Sequence, residues 1–220
     1  MPLLLNYLNV AAYAANFLVT YAVGAGGVFG TPTNAELSAK YQTIVTPAGY
    51  AFSLWGVIFI TELIWTCYQL TPAYQASSLV REGVSWYFVG VCAAQIAWTL
   101  TFTFEFISLS LVAMLSTLYC LLMIVTAQYK LTGNISTRDY WVLKFPFSIH
   151  AGWIVAASLV NVSVVLVKLE ANANLQYFAA LISLAVVLLA TAYFLHLTRP
   201  NFVVPLVLAW ALVSGIRVRK

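Results

Sequence analysis

Charge is what this sequence has least of. Lys, Arg, Asp and Glu make up 7% of its 220 residues, against roughly 25% in an ordinary soluble domain, so the chain cannot build the polar surface that a water-soluble globule needs. Its six acidic residues are too few and too scattered to pair for general acid–base hydrolysis. The basic residues stand singly or in pairs in loops and near the C-terminus, which excludes a nucleic-acid patch and fits topology and headgroup signals. There is no Gly-rich phosphate loop, no serine elbow and no His-Glu-x-x-His helix. Cys67, Cys92 and Cys120 all fall inside apolar runs, so neither a disulfide framework nor a thiolate metal site is expected. The period-two alternation of a membrane β-barrel is also missing.

What the sequence has in excess is long apolar runs, with 63% of residues hydrophobic. Runs of about 18 residues or more cross a bilayer as helices, because in hydrocarbon each backbone group must find its partner within the segment. The fold class is therefore an all-α polytopic membrane protein with about seven spans. The expected spans are Leu3–Val23, Thr46–Leu70, Ser85–Phe104, Ile107–Tyr129, Trp141–Lys168, Leu175–Leu197 and Phe202–Ile216. The first has no basic n-region and no small-residue cleavage site, so it reads as a retained helix. Arg217, Arg219 and Lys220 would form a basic anchor after the last. Val28–Val45 is the longest polar connection among the first helices, long enough to fold over a bundle mouth as a lid or to remain a plain connector. Glu105–Ser110 leaves room only for a tight αα-hairpin.

Within these spans the chemistry-bearing residues fall on helical stripes. In the second span, opened by Pro47 with Thr46 as its cap, Phe52, Trp55, Phe59 and Glu62 share a face. Gln95, Trp98, Phe102 and Glu105 do so in the third, and His150, Trp153, Ala157 and Asn161 in the fifth. Gly152 and Ala156 form a small-xxx-small pair that would admit another helix closely. Aromatic faces of this kind can wall a flat ligand between bundle helices or simply pack the bundle and its interfaces. Trp65, Trp86, Trp141 and Trp210 lie nearer helix ends and read as interface-belt or bundle-packing residues. A carboxylate at mid-bilayer costs at least ~2.5 kcal/mol, so Glu62 is either functional or a hydrogen-bonded strut, whereas Glu105 belongs to the hairpin. His150 and His196 are candidate axial ligands for a metal inside a porphyrin, or interfacial residues.

The order of TPAGYAFSLWGVIF, then QIAW, a short hairpin, an apolar helix and PFSIHAGWIVAASLVNVSVVLV resembles the tryptophan-rich sensory protein / translocator protein family (TspO/MBR, peripheral benzodiazepine receptor). It looks closer still to the longer members, which append two helices. The resemblance implies a five-helix bundle over residues 1–170, a two-helix extension over 171–220, and a ligand pocket closed by the first loop. It implies binding of porphyrins and related tetrapyrroles (haem or chlorophyll-type ligands included) and of isoquinolines, with cholesterol added in animal members. Carried across, Trp55, Trp98, Trp153, Ala157 and Asn161 match pocket positions, with Gln95 where the family usually has asparagine. The tryptophans matching Trp55 and Trp153 are implicated in light-dependent porphyrin breakdown in bacterial relatives, which makes these two the candidate catalytic pair. Two departures stand out. The first loop has no tryptophan, Tyr41 being the nearest substitute, and Val162–Lys168 has no tyrosine, which disfavours a sterol site there.

Three functions follow as expectations. One is a tetrapyrrole-binding membrane protein for sensing, transport or stress-related handling, in a bacterial plasma membrane or an organelle membrane. The others are a light-dependent porphyrin-degrading enzyme and a structural subunit of a larger membrane complex. Expected partners are the lipid bilayer, a flat apolar ligand, and a second copy or a larger membrane complex, with no nucleic acid.

Overall fold

The computed structural model describes residues 3–131, 133 and 135–215, and of Phe29 the backbone alone. Nine α-helices are present among them: α1 (Leu4–Val19), α2 (Asn34–Lys40), α3 (Leu54–Tyr68), α4 (Tyr87–Thr103), α5 (Ile107–Leu131), the single turn α6 (Thr137–Asp139), α7 (Phe145–Lys168), α8 (Ala173–His196) and α9 (Val203–Gly215). Three wider π turns, Thr20–Ala25, Leu79–Val84 and Tyr140–Lys144, extend α1 and lead into α4 and α7. By length and composition, six helical stretches can cross a membrane. The chain is a multi-pass integral membrane protein. α9 has 13 residues and rises about 20 Å at 1.5 Å per residue, short of the ~30 Å hydrocarbon core. The expected basic anchor, Arg217, Arg219 and Lys220, lies outside the described residues.

Helix contacts close a ring in the order α1, α4, α5, α7, α3 and back to α1, while α8 and α9 pack on the outside of α7. Polar groups tie the ring, as they must where no water competes. Asn6 and Asn9 of α1 both donate to the Gln69 side-chain oxygen, at 3.0 and 3.1 Å, and Gln69 Nε2 donates back to the Asn6 carbonyl. The Tyr13 hydroxyl donates to the Phe59 carbonyl at 2.8 Å. Gln128 of α5 donates to the Leu143 carbonyl at 2.7 Å.

The small pair on α7 is used by α9. A Cβ on Gly152 would stand 2.9 Å from Val207 Cβ and 3.2 Å from Val204 Cα, so the glycine sets how near α9 can lie. Asn201 then bonds Ser148 at 2.9 Å, and the Ala48 N–H donates to the Ser214 carbonyl at 2.9 Å. Arg199 donates to the Tyr129 carbonyl at 2.9 Å, which fastens the α8–α9 connection to the end of α5.

One expectation is corrected, and two open alternatives are decided. Thr46 does not cap the second span: its hydroxyl accepts from the Thr43 N–H at 2.9 Å inside the loop. Pro47 and the extended Ala48 delay the helix, which starts as a 3-10 turn at Gly49–Ser53 before α3. Trp65 packs the bundle and is fully buried, with its ring 4.7 Å from Phe88 and 5.0 Å from Phe147. The segment after the first span is not plain connector, because it contains α2.

Gly152→Ala is expected to destabilise the protein by about 1–3 kcal/mol, the usual cost of overpacking, since the Val204 backbone cannot swing aside as a flexible side chain would. Thermal unfolding in detergent micelles checks this, and an unchanged midpoint would contradict the close α7–α9 contact.

Candidate functional site

The ring encloses a cavity of about 740 Å³, within the roughly 300–1,000 Å³ of small-molecule sites. Its walls come from seven elements, one of them α5 through Met114. The π turn after α1 contributes Thr20, Tyr21 and Gly24, and α2 contributes Asn34, Ala35 and Ser38. The approach to α3 supplies Phe52, then Trp55 and Phe59; α4 supplies Trp98 and Phe102; α7 supplies Trp153, Ala157, Asn161 and Val164. Among the described residues none that lines it is charged, and none is a histidine.

Around Trp153 the aromatic residues meet edge to face: Trp55 and Trp153 have ring centroids 6.3 Å apart at 83°, Phe52 and Trp153 5.6 Å apart at 84°. Trp98 instead lies flat on Phe102 at 5.2 Å and 13°. The edge contacts leave ring faces available. The indole N–H groups of Trp98 and Trp153 are buried and have no hydrogen-bond partner among the described residues.

Of the residues singled out from sequence, Phe52, Trp55, Phe59, Trp98, Phe102, Trp153, Ala157 and Asn161 all line this cavity. Gln95 does not. It is buried 2% exposed on another side of α4, and neither side-chain atom has a partner among the described residues. Asn161 is already engaged with α5, donating to the Ser110 hydroxyl at 3.3 Å. His150 stands behind the wall: its ring meets the edge of Trp55 at 5.6 Å, and its Nδ1 lies 2.7 Å from Glu62 Oε1. Both partners are fully buried. An imidazole held there is not presented to the cavity as an axial ligand. Glu62, on the same sequence stripe as the wall aromatics, therefore turns to α7 rather than to the cavity. His196, at the end of α8, is exposed and distant in the chain from every lining residue.

The Val28–Val45 segment, one reading of which is a lid, contains the helix α2, for which a local signal was available in the sequence. Thr33-Asn-Ala-Glu36 is a capping box: the Glu36 N–H donates to the Thr33 hydroxyl at 3.2 Å, and the Thr33 N–H to Glu36 at 2.7 Å. That hydrogen bond from the Thr33 backbone holds the Glu36 carboxyl below the usual value. The other end of α2 is tied to the α4–α5 hairpin. Lys40 Nζ lies 2.6 Å from Glu105 Oε2, and the Tyr41 hydroxyl also donates to Glu105. Glu105 has a left-handed backbone, φ 59°, as the tight hairpin requires. Its carboxyl is held below the ordinary 4.5, first by Lys40 and then by Tyr41, while Glu105 raises Lys40 above 10.5.

A bundle of membrane-crossing helices around an aromatic cavity, with no charged side chain among its described lining residues and with the short helix α2 in its wall, defines a multi-pass helical class of integral membrane protein. The family profile described as TSPO-like protein matches residues 6–220. The chain belongs to that family. Comparison with curated proteins and with solved structures gives no match.

His150→Leu or Glu62→Leu alone is expected to cost about 3–5 kcal/mol by leaving one buried ionisable partner unpaired. The double substitution should recover part of that loss, and a double-mutant cycle by thermal unfolding measures it. For the lid, the sign is set by both groups. The lowered Glu105 contributes above 4.5 and is lost as pH falls through its folded value; the raised Lys40 contributes below 10.5 and is lost as pH rises through its own. Amide exchange in α2, corrected for its intrinsic rate, is therefore expected to be flat through neutral pH and to speed up in Lys40→Met; a step near neutrality would contradict the assignment.

Proposed function

We propose that the cavity binds a flat, conjugated, predominantly apolar ligand of the tetrapyrrole type, and that the protein handles or senses such a molecule in its membrane. The supporting observation is the lining itself. Three tryptophans and three phenylalanines, from α3 and its approach, α4 and α7, surround about 740 Å³ with no charged side chain among the described lining residues. A planar ring system gains from faces and edges of this kind. Membership of the TSPO-like family supports the same reading.

Fit to a metallated ring is a separate matter. His150 faces Glu62, and no histidine or cysteine is on the wall among the described residues. Held in this way, a haem would be gripped by its periphery and not through an imidazole on its iron. Metal-free and iron porphyrin are then expected to bind with comparable affinity.

Titration of the purified protein with protoporphyrin IX, haem and a chlorophyll precursor, followed by quenching of tryptophan fluorescence, tests this. Saturable binding that weakens in Trp55→Phe and Trp153→Phe is the expected result, by about 0.5–1.5 kcal/mol for each lost aromatic contact. Binding that is absent, or insensitive to both substitutions, would overturn the assignment.

A further inference from the structure

Three elements of the cavity wall run on, within one helical turn, into a single polar cluster. Ala39 and Gln42 line the cavity and flank Lys40 and Tyr41; Phe102 lines it and Glu105 follows three residues later; Val164 lines it and Lys168 follows four later. Lys40 Nζ lies 2.8 and 2.6 Å from the two Glu105 oxygens, and the Tyr41 hydroxyl donates to Glu105. Lys168 Nζ donates to the Tyr41 oxygen at 3.3 Å. Both ammonium groups also lie over the Tyr41 ring, 5.2 and 5.7 Å from its centroid. That ring is buried in a small core with Leu37, Phe102, Ile107 and Val164, of which Phe102 and Val164 also line the cavity.

In chemical terms the cluster is a carboxylate receptor. One ammonium group and a phenol bind one acid, a second ammonium group holds the phenol oxygen, and the acid is supplied by the chain. The contrast with the uncharged cavity beside it is sharp. We propose that Lys40, Tyr41 and Lys168 form a carboxylate-binding site at the mouth of the cavity, that Glu105 is its resident occupant, and that a ligand with a flat or apolar body and a free carboxylate displaces Glu105 to reach it. This rests on the cavity being the site for the apolar body.

The exchange is feasible on the geometry. The Lys40 and Glu105 side chains are 55% and 31% exposed, and ion pairs in contact with water hold weakly, because solvent replaces either partner cheaply. Glu105 is delivered by a hairpin turn rather than from within a helix, so its side chain can leave without unwinding α4 or α5. A carboxylate arriving in its place restores the same charge-assisted hydrogen bonds.

The test compares acids with their esters, using the full chain in detergent. Protoporphyrin IX and its dimethyl ester share one ring system and differ in carboxylate charge. Glu105→Gln is expected to tighten the acid by about fivefold, the scale of an exposed charge contact, and to leave the ester unchanged. Lys40→Met combined with Lys168→Met is expected to weaken the acid and again spare the ester. Saturable ester binding that Trp153→Phe weakens verifies the cavity independently of the cluster. With that in hand, an acid-to-ester ratio that no variant moves overturns the carboxylate site alone. If neither porphyrin binds, the cavity assignment falls and this proposal falls with it. Oleate and methyl oleate, run as competitors of the porphyrin ester, distinguish the source of the carboxylate. A Glu105→Gln gain confined to the porphyrin acid assigns the site to tetrapyrrole carboxylates. The same gain for oleate assigns it to lipid carboxylates, and a gain for neither acid overturns it.

Discussion

A carboxyl group and an imidazole 2.7 Å apart, sealed from water between α3 and α7, fix the geometry on which the site depends. In a medium that offers no replacement hydrogen bonds, neither Glu62 nor His150 can leave the other without a large penalty. The two helices are therefore held at one rotation and one height relative to each other. One turn from His150 stands Trp153 and two turns from Glu62 stands Trp55, with Phe52 in the 3-10 turn before α3, and the edge contacts among these rings follow from the registration. The His150 ring against the edge of Trp55 joins the polar tie to the aromatic wall directly.

The remaining ties serve the same end by other means. Amide side chains fasten α1 to the end of α3, and a glycine on α7 lets α9 approach on the outer side. The lid is treated differently. Its ion pair lies at the periphery, where water weakens it, and its own start is fixed by a local capping box that needs no tertiary partner. The walls are thus fastened by buried ties and α2 by a water-exposed one, a division of labour consistent with the ligand-binding role proposed for the cavity.

Much of this was legible in the residues. Long uncharged runs define membrane helices, and the period of Phe52, Trp55 and Phe59, or of Trp153, Ala157 and Asn161, correctly groups side chains that share the cavity. Periodicity says which residues share a face, but not which faces meet. Glu62 lies on the stripe of the wall aromatics and yet bonds to α7, because its partner is 88 residues away. Gln95 lies one turn from Trp98 and points elsewhere. The Lys40–Glu105 contact spans 65 residues, and nothing local in either segment indicates it. Nearness to a helix end left Trp65 between interface belt and bundle packing, and the choice depends on what packs over that end, here Phe88 and Phe147. The helix in the first connection was missed for a different reason: its capping box was present, but seven residues inside a polar connection give too short a pattern to stand out.

The two long helices that follow one another in the chain, α7 and α8, differ in how enclosed they are. Over its most apolar window α7 is 67% buried and α8 17%. Across generations, α8 can exchange leucine for isoleucine, valine or phenylalanine at most positions, since lipid accommodates any apolar outline. α7 has no such freedom: a change on it must wait for a compensating change on α3, α5, α8 or α9. Descendants of this chain should thus drift quickly along α8 and slowly, in correlated steps, along α7.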